Sequence, residues 1–371
     1  MLKPKSSRHL RYIASAALAF ILICGTAPAF AANNTKRTIT PAIPAALTLD
    51  EAVAAAIAAS SSLKAYAENK PIAAKNLADL YDALIYSTGI PDYVKYQSQI
   101  WQAESKRDVD AKNAQTTKQQ LTVSVTQAFA AIVGAQNALT LYDRSLDLQK
   151  RQLEIAKVRL KLGMMSRNDY NTAANNYARA VSDRVSKATA IDTAFMNLNK
   201  LMGKGLTKTY GLVFEVEYEP MKKSDLDADV KAAIAASAGV DSLLSSIRIT
   251  EFQIKYHSDV EPQTQTLDQL NASLSSDNRN LADARANIEQ KIISQHTKIR
   301  QQEAGYETQI AALDALLAQL AVKEKQHSLG MATQIDVDNI RLSIANQEES
   351  IRALIAEHAV SVMQYRWPNT I

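Results

Sequence analysis

A short pattern occurs twice in this chain, each time between two long helical repeats. The first copy is Leu162-Gly163-Met164-Met165-Ser166-Arg167-Asn168-Asp169-Tyr170. The second is Leu329-Gly330-Met331-Ala332-Thr333-Gln334-Ile335-Asp336-Val337. Each glycine supplies the left-handed residue that ends a helix. Each Ser or Thr, with Asp three positions on, supplies a capping-box-like start for the next helix. A chain with these turns folds back on itself twice, as antiparallel helical hairpins. Taken singly, each copy reads as a good hairpin turn and nothing more. Two copies at the ends of very long hairpins predict a repeated architecture.

The flanking periodicity supports this. Leu139, Tyr142, Leu146, Gln149, Leu153, Ala156, Leu160 and Gly163 are spaced alternately by three and four, a heptad seam with one polar slot. Its pattern extends back to about Ser98, so the helix is about 90 Å long at 1.5 Å per residue. The return helix carries Tyr170, Ala173, Tyr177, Val181, Arg184, Ala188, Ile191, Phe195, Leu198 and Met202, and stops at Gly203-Lys204-Gly205. In the second half the long helix runs from about Leu267 to Leu329, with Ile310, Leu313, Leu317 and Leu320 on its seam. Val337, Ile340, Ile344, Ile351 and Leu354 carry the return, which ends at Arg366-Trp367-Pro368. The 10 glycines and 9 prolines among 371 residues leave these runs almost uninterrupted.

Shorter elements repeat as well. The stretch 49–60 (LDEAVAAAIAAS) matches 226–237 (LDADVKAAIAAS). After the first of these a helix is expected from about Pro71 to Ile85, with the proline in its first turn. The breaks before the long helices are expected at Tyr86–Tyr96 and His257–Gln265. Between the halves, Leu212, Phe214, Val216 and Tyr218 alternate with polar neighbours, the period-two signal of one short strand or an extended connector near 208–220. The expected organisation is a signal peptide at 1–31, a tail at 32–46, a first helical repeat at 47–205, a connector at 206–223 and a second repeat at 224–371.

The start of the chain reads as an export signal. Lys3, Lys5, Arg8 and Arg11 precede an apolar run from Ile13 to Cys24, and Ala29-Phe30-Ala31 offers a cleavage site after Ala31. A lipoprotein reading would use Cys24, but bulky Ile23 stands before it. Cys24 is the sole cysteine, so the processed chain has no disulfide. The formal charge of +4 comes entirely from the four basic residues of the signal. The neutral remainder argues against nucleic-acid binding.

Catalytic constellations are absent from the sequence. His257, His296, His327 and His358 form no metal-ligand spacing. There is no phosphate loop and no nucleophile elbow. No enzymatic activity, metal or cofactor is expected. His327, just before the second turn, reads as a helix-surface residue, with a ligand or pH-sensing role as the sharper alternative. Asp169 and Asp336 read as caps at the positive ends of helices. Alternatively, in a symmetric assembly, they form an acidic ring at a tunnel mouth. Met164, Met165 and Met331 at the turn tips suit adaptable docking contacts, or are incidental on a solvated tip.

Three motifs then carry a resemblance. The start at Leu47-Thr48-Leu49-Asp50-Glu51-Ala52-Val53, the Ala156-x-x-Arg159-Leu160-x-x-Gly163-x-x-Ser166-x-x-Asp169-Tyr170 stretch, and Leu198-x-x-Leu201-x-Gly203 occur in this order. With the duplication, they resemble the TolC-like outer membrane efflux proteins. The resemblance implies an all-α chain of long antiparallel hairpins in two repeats, forming part of a trimeric α-barrel. It implies a homotrimer that works with a periplasmic adaptor (membrane fusion) protein and an inner-membrane transporter as a passive duct. Gly163, Met164, Met165, Ser166, Asp169, Gly330, Met331, Thr333 and Asp336 would form the docking tips. Asp169, Asp336 and Asp338 would be the acids of a possible gate, with Asn339 where some relatives carry a second acid. In that family the breaks hold paired strands of a membrane β-barrel. Here the breaks are too short for two strands of ~9–11 residues plus a loop. The barrel is therefore expected to be missing or vestigial. The resemblance implies export to the outer membrane, but the short breaks argue against direct insertion and leave the cell wall or periplasm as the other location in the envelope. A structural coiled-coil protein of the envelope, with no conducting lumen, is the alternative.

Overall fold

In the computed structural model, residues 46–214, 216–222, 225–257 and 265–370 are described. The expected export signal and most of the expected tail lie outside them, as does the middle of the second break. The described residues belong to one packed unit. Its elements are β1 (Leu47–Thr48), α1 (Leu49–Ala59), α2 (Ser61–Ile85), α3 (Ile90–Lys161), α4 (Arg167–Leu201), β2 (Leu212–Val213), α5 (Leu226–Ala235), α6 (Ala238–Lys255), α7 (Leu267–Ser328) and α8 (Gln334–Arg366). A single 3-10 turn, Pro368–Thr370, follows. The fold is all-α apart from one short ladder.

Helix α3, with 72 residues, is the axis of the unit. At 1.5 Å per residue it is about 110 Å long. It packs on α4 and α8 toward one end and on α2 and α6 toward the other, while α7 packs on α8 and α6. The four long helices thus form a row in the order α7, α8, α3, α4, with α4 and α7 at its edges. The row is tied by charge as well as packing: Arg184 on α4 grips both carboxylate oxygens of Asp143 on α3.

The core is spread along seams. In the first repeat, Ala52 and Ala56 of α1 meet Val125, Phe129 and Ile132 of α3, Phe195 and Leu198 of α4, and Met202, which caps α4. In the second, Ala233 of α5 meets Ile292 and Ile299 of α7 and Tyr365 of α8. Ala56 and Ala233 occupy matching places in the repeated stretch, so the repetition extends to the packing. Further along, Leu313, Ile344 and Ile351 form a third cluster between α7 and α8. Most of the expected α4 seam is buried or half-buried, but Val181 is exposed and the smaller Ala180 turns inward beside it. Likewise Leu316, not Leu317, packs on the third cluster.

Two sequence expectations are corrected and a third is extended. Helix α2 starts at Ser61, capped by the Ser60 hydroxyl, so Pro71 lies inside it and not in its first turn. Pro71 is exposed, which lets water satisfy the carbonyl left without a donor. Helix α3 starts at Ile90, with Gly89 at φ +85° before it and Pro91 in its first turn, so the first break shrinks to Tyr86–Gly89. The strand expected near 208–220 has a partner: β2 pairs in parallel with β1, Leu47 opposite Leu212 and Thr48 opposite Val213. Thr48 also caps α1 through a complete capping box with Glu51. Beyond this ladder, Phe214 packs on the first core cluster and Tyr218 stacks on Tyr306 at 3.7 Å.

Among the described residues no single helix is long and apolar enough to cross a membrane. The apolar pair α5 and α6 is bent by 62°, and it packs on α7 and α3.

Candidate functional site

The two repeated turns fold alike. Helix α3 ends at Lys161 and α4 begins at Arg167; α7 ends at Ser328 and α8 begins at Gln334. In the first turn the Gly163 N–H donates to Leu160 O at 3.1 Å and the Met164 N–H to Arg159 O at 2.8 Å. In the second, the Gly330 N–H donates to His327 O at 2.9 Å and the Met331 N–H to Gln326 O at 2.8 Å. Both are Schellman caps, which require a left-handed residue at the glycine. Gly163 and Gly330 sit at φ +71° and +74°.

The next helices start alike too. Ser166 accepts from the Asp169 N–H at 3.1 Å and donates its hydroxyl proton to the Asp169 carboxylate at 2.7 Å. Thr333 accepts from the Asp336 N–H at 3.3 Å, and the Thr333 N–H and hydroxyl both donate to Asp336 Oδ2 at 2.8 Å. These hydrogen bonds, the backbone one foremost, hold the Asp336 carboxyl below its ordinary value. Asp336 thus completes a capping box with Thr333, whereas the Asp169 carboxylate meets only the Ser166 hydroxyl.

The turns lie at the same end of the row. Arg151 on α3 donates to Asp338 on α8 at 2.7 Å, and Asn137 donates to Glu349 at 2.8 Å. Moving away from the tips, α3 numbers fall while α8 numbers rise, so both hairpins point one way. Asp338 is also bonded by Gln334 and faces Arg341, which pairs with Glu324 on α7. Asp338 is thus held in a charged chain linking α3, α8 and α7, distinct from the capping role of Asp169 and Asp336.

At the extremity, Met164 and Met331 are 73% and 74% exposed. Met165 is half-buried and does not share their setting. Leu162 and Leu329 are exposed beside the methionines. Sequence reasoning missed three further features of this end. Ile155 and Val158 line a shallow groove with Arg159 and Met164; their spacing off the α3 seam was the available signal. The His327 ring bonds Ala332 O at 2.9 Å and ties the second turn across its own mouth. The Arg151–Asp338 link joins residues far apart in the chain, for which no local pattern exists. Among the described residues, no group of three His, Cys, Asp or Glu side chains is placed to hold a metal ion.

No family model matches the sequence, and no curated protein matches it. Solved structures do match the fold. A membrane protein from Pseudomonas aeruginosa superposes with a TM-score of 0.62 at 11% identity, over 91% of this chain and 99% of the other. The Campylobacter jejuni CmeC outer membrane channel gives 0.60 at 10% identity, over 94% of each chain. The open state of the Neisseria gonorrhoeae MtrE outer membrane channel gives 0.61 at 13% identity, over 86% and 88%. The chain thus has the fold of the TolC-like outer membrane channels, with one two-residue ladder as its only strands among the described residues.

Proposed function

We propose that this protein is an exported duct component of an efflux or secretion system, a passive one, whose paired hairpin tips dock on a periplasmic adaptor serving an inner-membrane transporter. The observation that carries this reading is the matched pair of tips. Two Schellman turns with the same geometry present Met164 and Met331 at one end of the same unit. Exposed methionines on rigid turns suit a docking surface that must adapt to its partner. The likeness in fold to outer membrane channels supports it.

The unit is open at its sides. Helices α4 and α7 form the edges of the row, and Val181, Val185 and Met196 on α4 and Ile293, Leu317 and Val322 on α7 are exposed there. Joining the α4 edge of one copy to the α7 edge of the next is a head-to-tail contact, which closes into a ring when the rotation allows. A homotrimer would place the row around a lumen, with Asp169, Asp336 and Asp338 near its tip end as a possible gate. The envelope is the compartment in which such a duct operates.

Mass measurement and low-resolution imaging of the processed chain test the assembly. A hollow trimer is expected; a dimer or a solid bundle would favour a structural coiled-coil protein instead. For the tips, Met164→Asp with Met331→Asp is expected to abolish efflux while leaving helicity, export and trimer mass intact. Full efflux from that variant would remove the docking role.

A further inference from the structure

At the end of the unit opposite the tips, the α2–α3 hairpin turns in four residues, Tyr86–Gly89. Three of the most exposed large apolar side chains of the described residues surround that turn: Ile85 at 74%, Tyr86 at 82% and Ile90 at 61%. The Tyr86 N–H donates to Asp82 O and the Ser87 N–H to Leu84 O, while Gly89 gives the start of α3 no side-chain cap. Immediately behind it lies an aromatic cluster that ties the hairpin to α6: Tyr93 meets Phe252 at 5.9 Å and Tyr256 at 6.1 Å, and Phe252 meets Trp101 at 4.9 Å. The apolar turn is therefore held on a rigid base.

We infer that this turn is a shallow lipid-interface anchor, which rests the end of the helical unit on a phospholipid bilayer without crossing it. The order of chemistry along the axis favours lipid over a protein groove. Aliphatic side chains come first. Tyr93 follows about 4.5 Å behind Ile90, at 1.5 Å per residue, and Lys95 about 7.5 Å behind. The Lys95 and Lys255 amines lie 5.2 and 5.3 Å from the ring centres of Tyr96 and Tyr256. Apolar tip, tyrosine belt and lysine amines is the sequence of groups that matches acyl chain, glycerol region and phosphate. Interfacial elements bury about 5–10 Å, which sets the lysines at headgroup depth. The apolar groups come from two helices and the turn between them, whereas a protein groove reads one face of one helix.

The acids set the depth. Asp82 and Asp92 flank the turn. Asp92 lies in the first turn of α3, where the positive end of the helix offsets its charge. Lys95 and Lys255 balance these two acids, so contact is expected to be driven by the apolar groups and not by anionic lipid. This inference does not use the duct reading.

The test is sedimentation of the chain from Ala32 onward with phosphatidylcholine vesicles and with phosphatidylethanolamine–phosphatidylglycerol vesicles. Binding to both is expected, and it should persist at high salt. Ile85→Asp with Ile90→Asp should weaken it by about tenfold or more with unchanged helicity, since both side chains are exposed. A Tyr86→Trp variant should be quenched by brominated acyl chains, whereas Met164→Asp at the far end should leave binding intact. Absence of vesicle binding, binding that disappears at high salt, or binding unaltered in the Ile85/Ile90 variant would each overturn the anchor. None of these readouts depends on efflux, so the two proposals fail separately.

Discussion

Arg151 and Asp338 meet at 2.7 Å across the α3–α8 seam, binding the first repeat to the second near the tips. Arg151 is more than half exposed while Asp338 is largely covered. A pair with one exposed partner couples weakly. A double-mutant cycle with Arg151→Ala and Asp338→Ala is expected to give about 0.5–1 kcal/mol, shrinking with added salt. The Asp338 single variant should lose more than the Arg151 variant, because Asp338 also holds Gln334 and Arg341.

The glycines separate two kinds of cost. An added Cβ at Gly330 meets no atom within 4 Å, so Gly330→Ala should lose only the conformational term, about 1–2 kcal/mol. At Gly203, also left-handed, a Cβ would lie 2.9 Å from the Ala59 Cβ. Gly203→Ala should therefore cost about 1–3 kcal/mol more than Gly330→Ala. Urea unfolding of the two variants checks the order.

Phe129 is fully buried between α1, α4 and the connector. Its ring lies 6.0 Å from Phe214. Phe129→Ala should cost about 3–5 kcal/mol in denaturant unfolding. Truncating exposed Val185 should cost far less, and that contrast locates the core.

Two carboxylates have opposite pH signatures. The pKa of Asp336 is lowered by its hydrogen bonds to Thr333, so its contribution is present above the ordinary aspartate value and is lost as pH falls through the lowered one. Asp336→Asn should flatten the acid limb of the stability profile. The pKa of Glu349 is raised because burial outweighs its bonds to Arg352 and Asn137. Its stabilisation is present below the ordinary glutamate value and is lost as pH rises through the raised one. Glu349→Gln should therefore gain stability at neutral pH relative to the parent protein. Thermal unfolding across acidic and neutral pH reads both.

The most legible elements in the sequence were those set by local chemistry. The caps at Gly163, Ser166, Gly330 and Thr333 and the end of the long helix at Leu329 need only their own neighbours. Helix starts were harder. Pro71 signals a first turn, yet Ser60 caps eleven residues earlier, and an exposed proline is tolerated inside. Isoleucine-proline at 90–91 reads as loop chemistry until Gly89 supplies the residue before the first turn. The partner of β2 was hidden because Leu47-Thr48 is also a helix-capping sequence and serves both purposes. In the site, the geometry of each turn was readable, whereas the Asp338 chain was not, since its partners Arg151 and Glu324 come from other helices.

Helix α3 belongs by sequence to the first repeat but packs on α6 and α8 of the second. The sequence repeats are therefore not separate thermodynamic units. Cutting the chain within the connector should not release two folded halves; each fragment would lack one wall of its own interior. Mixed together, the fragments should recover helicity by complementation, and the intact chain should lose it in one cooperative step.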